Sequence, residues 1–443
     1  SCHKAFSIWD AIDRESGRMP LLVTCPRCGV GTAKQGLKYA GSKPVLLSYE
    51  TATGQRVERA PNAADLKMIA DQSAIAPRDW FPDVQIDPSR EMYIRSALHL
   101  QGIKTVADFY MPRNLRALSR LWARIQQVTD DRLRAGLAFA FTNTAWHGTR
   151  MRRFNARGGQ RPLTGTLYVP QLSSEANVLE VMRNKMRQLR TYYSSLGAPS
   201  EPLPAIGVGS ATNLQSIPDA SIDYVFTDPP FGSNLFYADC NLVWESWLGG
   251  LTRESDEAVV NRSRDSRRGG KSVDDYEMLM TASLREVHRV LKPKAWATLV
   301  FHNTDPAVWR AIQNAAEAAG FKIDDAGALD RKQQSHKGYK GRSESEDVAH
   351  FDVIMSMRKR LISRTRKTTV HDSLSVQDLV KSAWSALPPS ARTIQRVHSE
   401  VIQALARAGR KLDEVSFEDV RIHMPDAPTK RSARSTELKQ RKR

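Results

Sequence analysis

A chain of 443 residues with 41% hydrophobic residues is long enough to bury two or three cores, and no run in it approaches the 18 or so uninterrupted apolar residues of a membrane span. A helical membrane protein is thereby excluded, and with no charged-then-apolar signal peptide at the start a cytoplasmic location is expected. The formal net charge of +18 and pI near 9.8 point to a polyanionic partner, nucleic acid first, although seven Lys or Arg against the single acid Glu437 crowd a disordered tail over 428–443.

The chain opens on Ser1, not Met, with Cys2 beside it, and a natural N-terminal part is expected to precede it. Residues 1–60 read as short strands, one from Val45 to Tyr49, around a metal knuckle. In Cys25-Pro26-Arg27-Cys28-Gly29 the two-residue spacer lets both thiolates reach one tetrahedral ion, and the glycine permits the turn. Cys2 is read as a third ligand, with the fourth upstream or supplied by His3. The alternative is a metal-free pair of buried cysteines, and Cys240 is read as a core residue.

Within a helical, basic region set at 61–203, helical periodicity takes over from Asp87 to about Leu189. Asp87-Pro88 predicts a helix that Gly102 stops, and Pro112 predicts another carrying Leu115, Leu118, Leu121, Trp122, Ile125 and Val128 on one face. Between Arg132 and Ser174 there are seven arginines and no acid. Five of them, Arg150, Arg152, Arg153, Arg157 and Arg161, lie among Trp146, His147 and Phe154, so they are candidates for phosphate contacts. A solvated surface is the alternative.

From 204 to 360 strands and helices alternate, which argues for a mostly parallel α/β sheet. Strands are expected over Ala205–Gly209, Ile222–Thr227, Ala295–Phe301, Phe321–Asp325 and Phe351–Met357, and helices over Leu235–Leu248, Asp274–Leu291 and Pro306–Ala319. Arg253–Lys271 reads as a mobile loop, Arg331–His350 as a polar hairpin loop, Arg358–Thr369 as a linker, and 361–427 as accessory helices.

The chemistry concentrates where the apolar strand Ile222–Thr227 runs into Asp228-Pro229-Pro230-Phe231-Gly232. Ligands of open α/β sheets bind at that carboxyl edge. An exocyclic amino group is a poor nucleophile because its lone pair is conjugated with the ring, and hydrogen-bond acceptors localise that pair. The Asp228 carboxylate and the Pro229 carbonyl can each accept one N–H, the two prolines stiffen the backbone, and Phe231 offers a stacking face. Asn234 and Tyr237, just beyond, and His302 and Asn303, at the end of the adjacent strand, are further candidates for contacting a base. Each also has a structural reading: Asn303-Thr304-Asp305-Pro306 is itself a helix start.

Asp228-Pro229-Pro230-Phe231 resembles motif IV of the amino-methyltransferases. The wider stretches Ser221–Asn234 with Tyr237, Trp244–Gly249, Arg161–Pro170 and Glu286–Pro293 are similar to the zinc-ribbon-containing adenine-specific DNA methylases, over roughly Cys2 to Lys359. The resemblance implies a class I, Rossmann-like methyltransferase sheet with a zinc-ribbon and helical insertion. Residues 1–60 would be a zinc-ribbon remnant, 61–203 a target-recognition insertion and 204–360 the catalytic region, with the Phe321 and Phe351 strands as the closing hairpin. It also implies S-adenosyl-L-methionine as cofactor, structural zinc, and adenine N6 in DNA as the methylated group.

One departure stands out. The Gly-rich first-strand motif that holds the cofactor in such enzymes is missing, and Gly207-Val208-Gly209-Ser210 is the nearest substitute, making Gly209 and Ser210 the cofactor-binding candidates. The sheet is therefore expected to be incomplete at its N-terminal strands, with an upstream polypeptide supplying the motif. The competing readings are an RNA methyltransferase acting on adenine N6 or guanine N2, and a nucleic-acid-binding fragment without activity of its own.

Overall fold

The computed structural model describes residues 2, 4–12, 22–33, 39–155, 159–197, 204–303, 305–330, 351–359, 374–389 and 392–425. His3, Arg157, the 331–350 loop and the 428–443 tail lie outside the described residues. The protein is a mixed α/β chain in two compact units: Ser1–Ala205 with Phe236–Glu254, and Ile206–Leu235 with Ser255–Arg443. No helix among the described residues is long and apolar enough to cross a membrane.

The first unit begins with two antiparallel hairpins, β1 (Leu22–Thr24) with β2 (Gly31–Ala33) and β3 (Leu47–Glu50) with β4 (Arg56–Arg59). Helix α1 (Ala63–Ala74), not foreseen in the sequence, starts on a reciprocal cap between Asn62 and Asp65. The helix expected from Asp87 is cut short. Ala97 adopts φ 48°, so α2 spans only Glu91–Arg95, followed by a tight turn over Leu98–Gln101 that Gly102 closes at φ 69°. Helix α3 (Pro112–Gln126) starts on its proline and buries Leu115, Leu118, Trp122 and Ile125, the stripe that its spacing predicts. Helices α4 (Asp131–His147) and α5 (Val178–Ser195) follow.

Helix α6 (Tyr237–Leu248), which follows the Asp228–Gly232 stretch in sequence, belongs to this first unit. Its Asp239 is buried, paired with Arg90 and accepting from the Met92 N–H at 2.9 Å. Its Trp247 is buried among aromatic rings, 5.0 Å from Phe141, and donates to the Tyr110 hydroxyl at 3.0 Å. Cys240 is buried on the same helix.

The second unit is built on a four-stranded sheet in the order β5 (Ile222–Thr227), β6 (Leu291–Phe301), β8 (Phe351–Lys359), β7 (Phe321–Asp330). The β5–β6 pair is parallel, and β8 pairs antiparallel with both β6 and β7. Helices α7 (Val273–Val290) and α8 (Pro306–Ala318) contribute Tyr276, Leu284, Val308 and Trp309 to one core with Leu299, Phe301 and Met355 of the sheet. Helices α9 (Val376–Ala386), α10 (Ile394–Arg407) and α11 (Phe417–His423) join that core through Val380, Val401, Leu405 and Val420.

One expectation for this unit is corrected. Ala205–Gly209 is not a strand: Ile206 is 92% exposed and Val208 is fully exposed, and no described strand pairs with β5 on its outer side to offer such a segment a ladder. Arg253–Lys271, expected to be a mobile loop, carries local hydrogen bonds. Two hydrogen bonds of 2.9 Å pin its neck: the Asn261 N–H donates to the Lys271 carbonyl, and the Lys271 N–H donates to the Asn261 side chain.

Candidate active site

Because β5 and β6 run parallel, with Thr227 opposite Leu299, both end on the same edge of the sheet. The Asp228–Gly232 loop leaves that edge beside His302 and Asn303. Asp228 is exposed and Pro229 is buried. Phe231 stacks on the His302 ring at 5.2 Å with 25° between planes, and meets Phe301 edge-on at 5.3 Å. His302 in turn faces the buried Asp352, with Nδ1 3.3 Å from Oδ1.

The loop backbone is held at successive carbonyls. The Tyr276 hydroxyl donates to the Pro230 carbonyl at 2.8 Å, and the Asn303 Nδ2 donates to the Phe231 carbonyl at 2.9 Å. Burial pushes the Tyr276 hydroxyl well above its ordinary pKa, so it remains a donor. Gly232 turns the chain at φ 67°, and an added Cβ would lie 3.2 Å from both Asn303 Nδ2 and Val308 Cγ1. Only glycine meets both demands.

Asn303 is 5% exposed, and its Oδ1 also accepts the Asp305 N–H at 2.8 Å. Asp305 caps α8, as its sequence context predicts. Asn303 thus takes part in the helix start and also holds the loop through the Phe231 carbonyl. Asn234 is half-buried in this unit, whereas Tyr237 opens α6 in the other and is 41% exposed. Tyr276 and Asp352 escaped the sequence reading. Asp352 had no local signal, and Tyr276 only its place on the buried face of a helix.

Gly207–Ser210, which carries the cofactor-binding candidates Gly209 and Ser210, is an irregular segment without strand or helix. A Cβ added to Gly207 or Gly209 would meet nothing within 4 Å, and Ser210 Oγ lies 2.8 Å from Thr212 Oγ1 in a turn closed by the Asn213 N–H on the Ser210 carbonyl. No helix start follows to gather anions with its free N–H groups. The turn is instead tied down by Glu286 and Arg289, which take the Leu214 N–H and the Leu214 and Ile217 carbonyls.

In the first unit the basic stretch divides in two. Arg150 donates to the Asp108 carbonyl at 3.2 Å and the Tyr39 hydroxyl at 3.1 Å, and Arg152 donates to the Gln160 carbonyl at 3.0 Å. Arg153 and Arg161 are exposed, and neither guanidinium has a carboxylate partner among the described residues. The field is positive here: burial first, then the charges of Arg152, Lys185 and Arg161, lower the pKa of His147.

At the knuckle the Sγ atoms of Cys2, Cys25 and Cys28 lie within 4.8 Å of one another, with Cys2 and Cys25 3.8 Å apart. Sulfurs bound at about 2.3 Å to a tetrahedral zinc are separated by about 3.8 Å, so the three thiols fit such an ion. Hydrogen bonds to Cys28, first from the Val30 backbone and then from Cys2, lower its pKa to about 7 and favour the ligating thiolate. The β1–β2 turn makes this possible, with Gly29 at φ 69° donating to the Cys25 carbonyl at 3.0 Å.

A surface depression of about 450 Å³ in the first unit is lined by Trp80, Trp122, Gln126 and Trp247.

No family model and no curated protein matches this chain. Among solved structures it is similar to the PvuII DNA methyltransferase, which is cytosine-N4-specific, at 15% identity over 34% of this chain and 48% of that one, with a TM-score of 0.25. It is also similar to a candidate DNA modification methylase from Thermus thermophilus, at 16% identity over 49% of this chain and 94% of that one, with a TM-score of 0.20. The alignment thus spans about half of the PvuII enzyme, and superpositions this loose carry no argument about fold or activity.

Proposed function

We propose that the chain supplies the catalytic edge of an S-adenosylmethionine-dependent methyltransferase acting on an exocyclic amino group, adenine N6 in DNA. The observation that carries this reading is the placement of Asp228-Pro229-Pro230-Phe231 at the carboxyl end of β5, beside a parallel strand ending on the same edge. There the Asp228 carboxylate and the Pro229 carbonyl accept the two amino hydrogens and draw the nitrogen lone pair out of conjugation. The cofactor, when bound, supplies the methyl group. Once the nitrogen carries it and is cationic, its surplus proton passes to Asp228, a modest demand on a carboxylate. Arg153 and Arg161 would meet phosphates, and Cys2, Cys25 and Cys28 would hold structural zinc.

In this reading additional polypeptide completes the sheet and carries the cofactor-binding motif. What supports it is the state of β5. Among the described strands β5 lies at the sheet edge, and its one irregularity falls at its start, between Ile222 and Tyr224. Beyond that point Tyr224, Phe226 and the neighbouring Trp296 are 52%, 62% and 39% exposed. Exposed apolar edge strands are templates for strand addition.

Calorimetric titration of residues 1–443 with S-adenosylmethionine tests the arrangement. No saturable binding in the micromolar range is expected, and micromolar affinity would show that the chain holds a complete cofactor site.

A further inference from the structure

The sequence of the motif loop does not say what aims its acceptors. Three consecutive carbonyls follow Asp228, and the fold treats them unequally. Pro230 accepts from the Tyr276 hydroxyl at 2.8 Å and Phe231 from Asn303 Nδ2 at 2.9 Å, while no described group donates to the carbonyl of the buried Pro229. An unmet acceptor at a buried residue costs stability unless something outside the protein satisfies it.

We propose that Tyr276 and Asn303 form a two-point clamp on the Pro230 and Phe231 carbonyls that reserves the Pro229 carbonyl for the incoming amino group. The inference rests on the methyltransferase reading and deepens it: both residues are positioning residues that touch the loop and not the substrate. Neither residue is a flexible surface group. Tyr276 is fully buried on α7, within the core formed by Leu284, Phe301 and Trp309. Asn303 is locked by the Asp305 N–H on its Oδ1 and by the Trp309 Nε1, which donates to its carbonyl at 2.9 Å. The clamp thus ties the loop to the ends of two helices and the central strand, and it uses no ionisable group in its working form. If one arm is removed, a freed carbonyl competes for the amino hydrogens or turns the peptide away. Either effect lowers the rate of the chemical step more than the affinity for DNA.

Tyr276→Phe and Asn303→Asp test it. The first deletes the hydroxyl at constant ring volume, and the second keeps the acceptor to Asp305 while removing the donor to Phe231. Hydrogen exchange across 228–234 is read in the chain as it stands, and kcat and KM for DNA are read in the form that transfers methyl groups. Exchange in that segment is expected to rise roughly tenfold in each variant, with the β6–β8 amides unchanged, and kcat to fall roughly 10- to 100-fold at near-constant KM. Wild-type exchange in 228–234, or a wild-type kcat, overturns the clamp. A fall in affinity without a fall in kcat also overturns it. If the wild-type protein transfers no methyl group with any cofactor supply, the methyltransferase reading fails, while the exchange measurement still decides whether the clamp exists.

Discussion

The Asp228–Gly232 loop and the Gly207–Ser210 stretch are both glycine-bearing turns of the second unit, and the fold treats them in opposite ways. In the first, Gly232 is required by a positive φ and by Asn303 and Val308 closing on its Cα, and the neighbouring carbonyls are bonded to side chains from α7 and the end of β6. In the second, Ile206 and Val208 face water and the glycines have open space around them. A glycine therefore informs about function where packing demands it. A Gly-x-Gly pattern without such demand carries no information of that kind.

The largest expected effect is on chemistry. Asp228→Ala should reduce methyl transfer by roughly 10²- to 10⁴-fold while leaving DNA affinity within about twofold. Transfer of labelled methyl groups at the wild-type rate would break the contrast between the two turns at its first term.

Stability should separate them next. Gly232→Ala is expected to cost about 2 kcal/mol or more, since it combines a left-handed backbone with a 3.2 Å contact. Gly209→Ala should be neutral or stabilising by up to about 1 kcal/mol, by narrowing the unfolded ensemble. Equal urea midpoints for the two variants would contradict this.

Acid should loosen the second turn. The Arg289 guanidinium first, then the Leu214 N–H, hold Glu286 down to about 2, and this pair anchors the 210–220 turn. A depressed carboxylate contributes stability above its unfolded pKa, about 4.3, and loses it as the pH falls toward 2. Protection of the 210–220 amides, relative to their intrinsic exchange rate at each pH, should therefore fall between about pH 4.3 and 2, and Glu286→Gln should remove that dependence.

The same distinction between committed and uncommitted groups applies to the arginines. Arg153→Ala and Arg161→Ala should each lower the log–log salt slope of DNA binding by about one unit. Arg150→Ala and Arg152→Ala should act mainly on stability, because their guanidinium groups are spent on protein carbonyls and a hydroxyl. Identical slopes for all four variants would remove the division.

What was legible in the sequence is what local physics decides. The apolar run Ile222–Thr227 is β5 residue for residue, Pro112 starts α3, and the Cys25–Gly29 turn brings three sulfurs together. What was not legible depends on partners far along the chain. Tyr276 reaches Pro230 across 46 residues, and Asp352 reaches His302 across 50. The helix that follows the motif sits in the other unit because Asp239 and Trp247 find Arg90 and Tyr110 there, more than 130 residues upstream. Ala205–Gly209 has strand composition but no ladder partner, and composition cannot report that.

Nucleoside analysis of DNA from methylation-deficient cells expressing the full natural gene tests the central claim most directly. The expected result is N6-methyladenine in cells with the wild-type gene and none in cells carrying Asp228→Ala. N4-methylcytosine alone, methylation confined to RNA, or equal N6-methyladenine with and without Asp228 would contradict it.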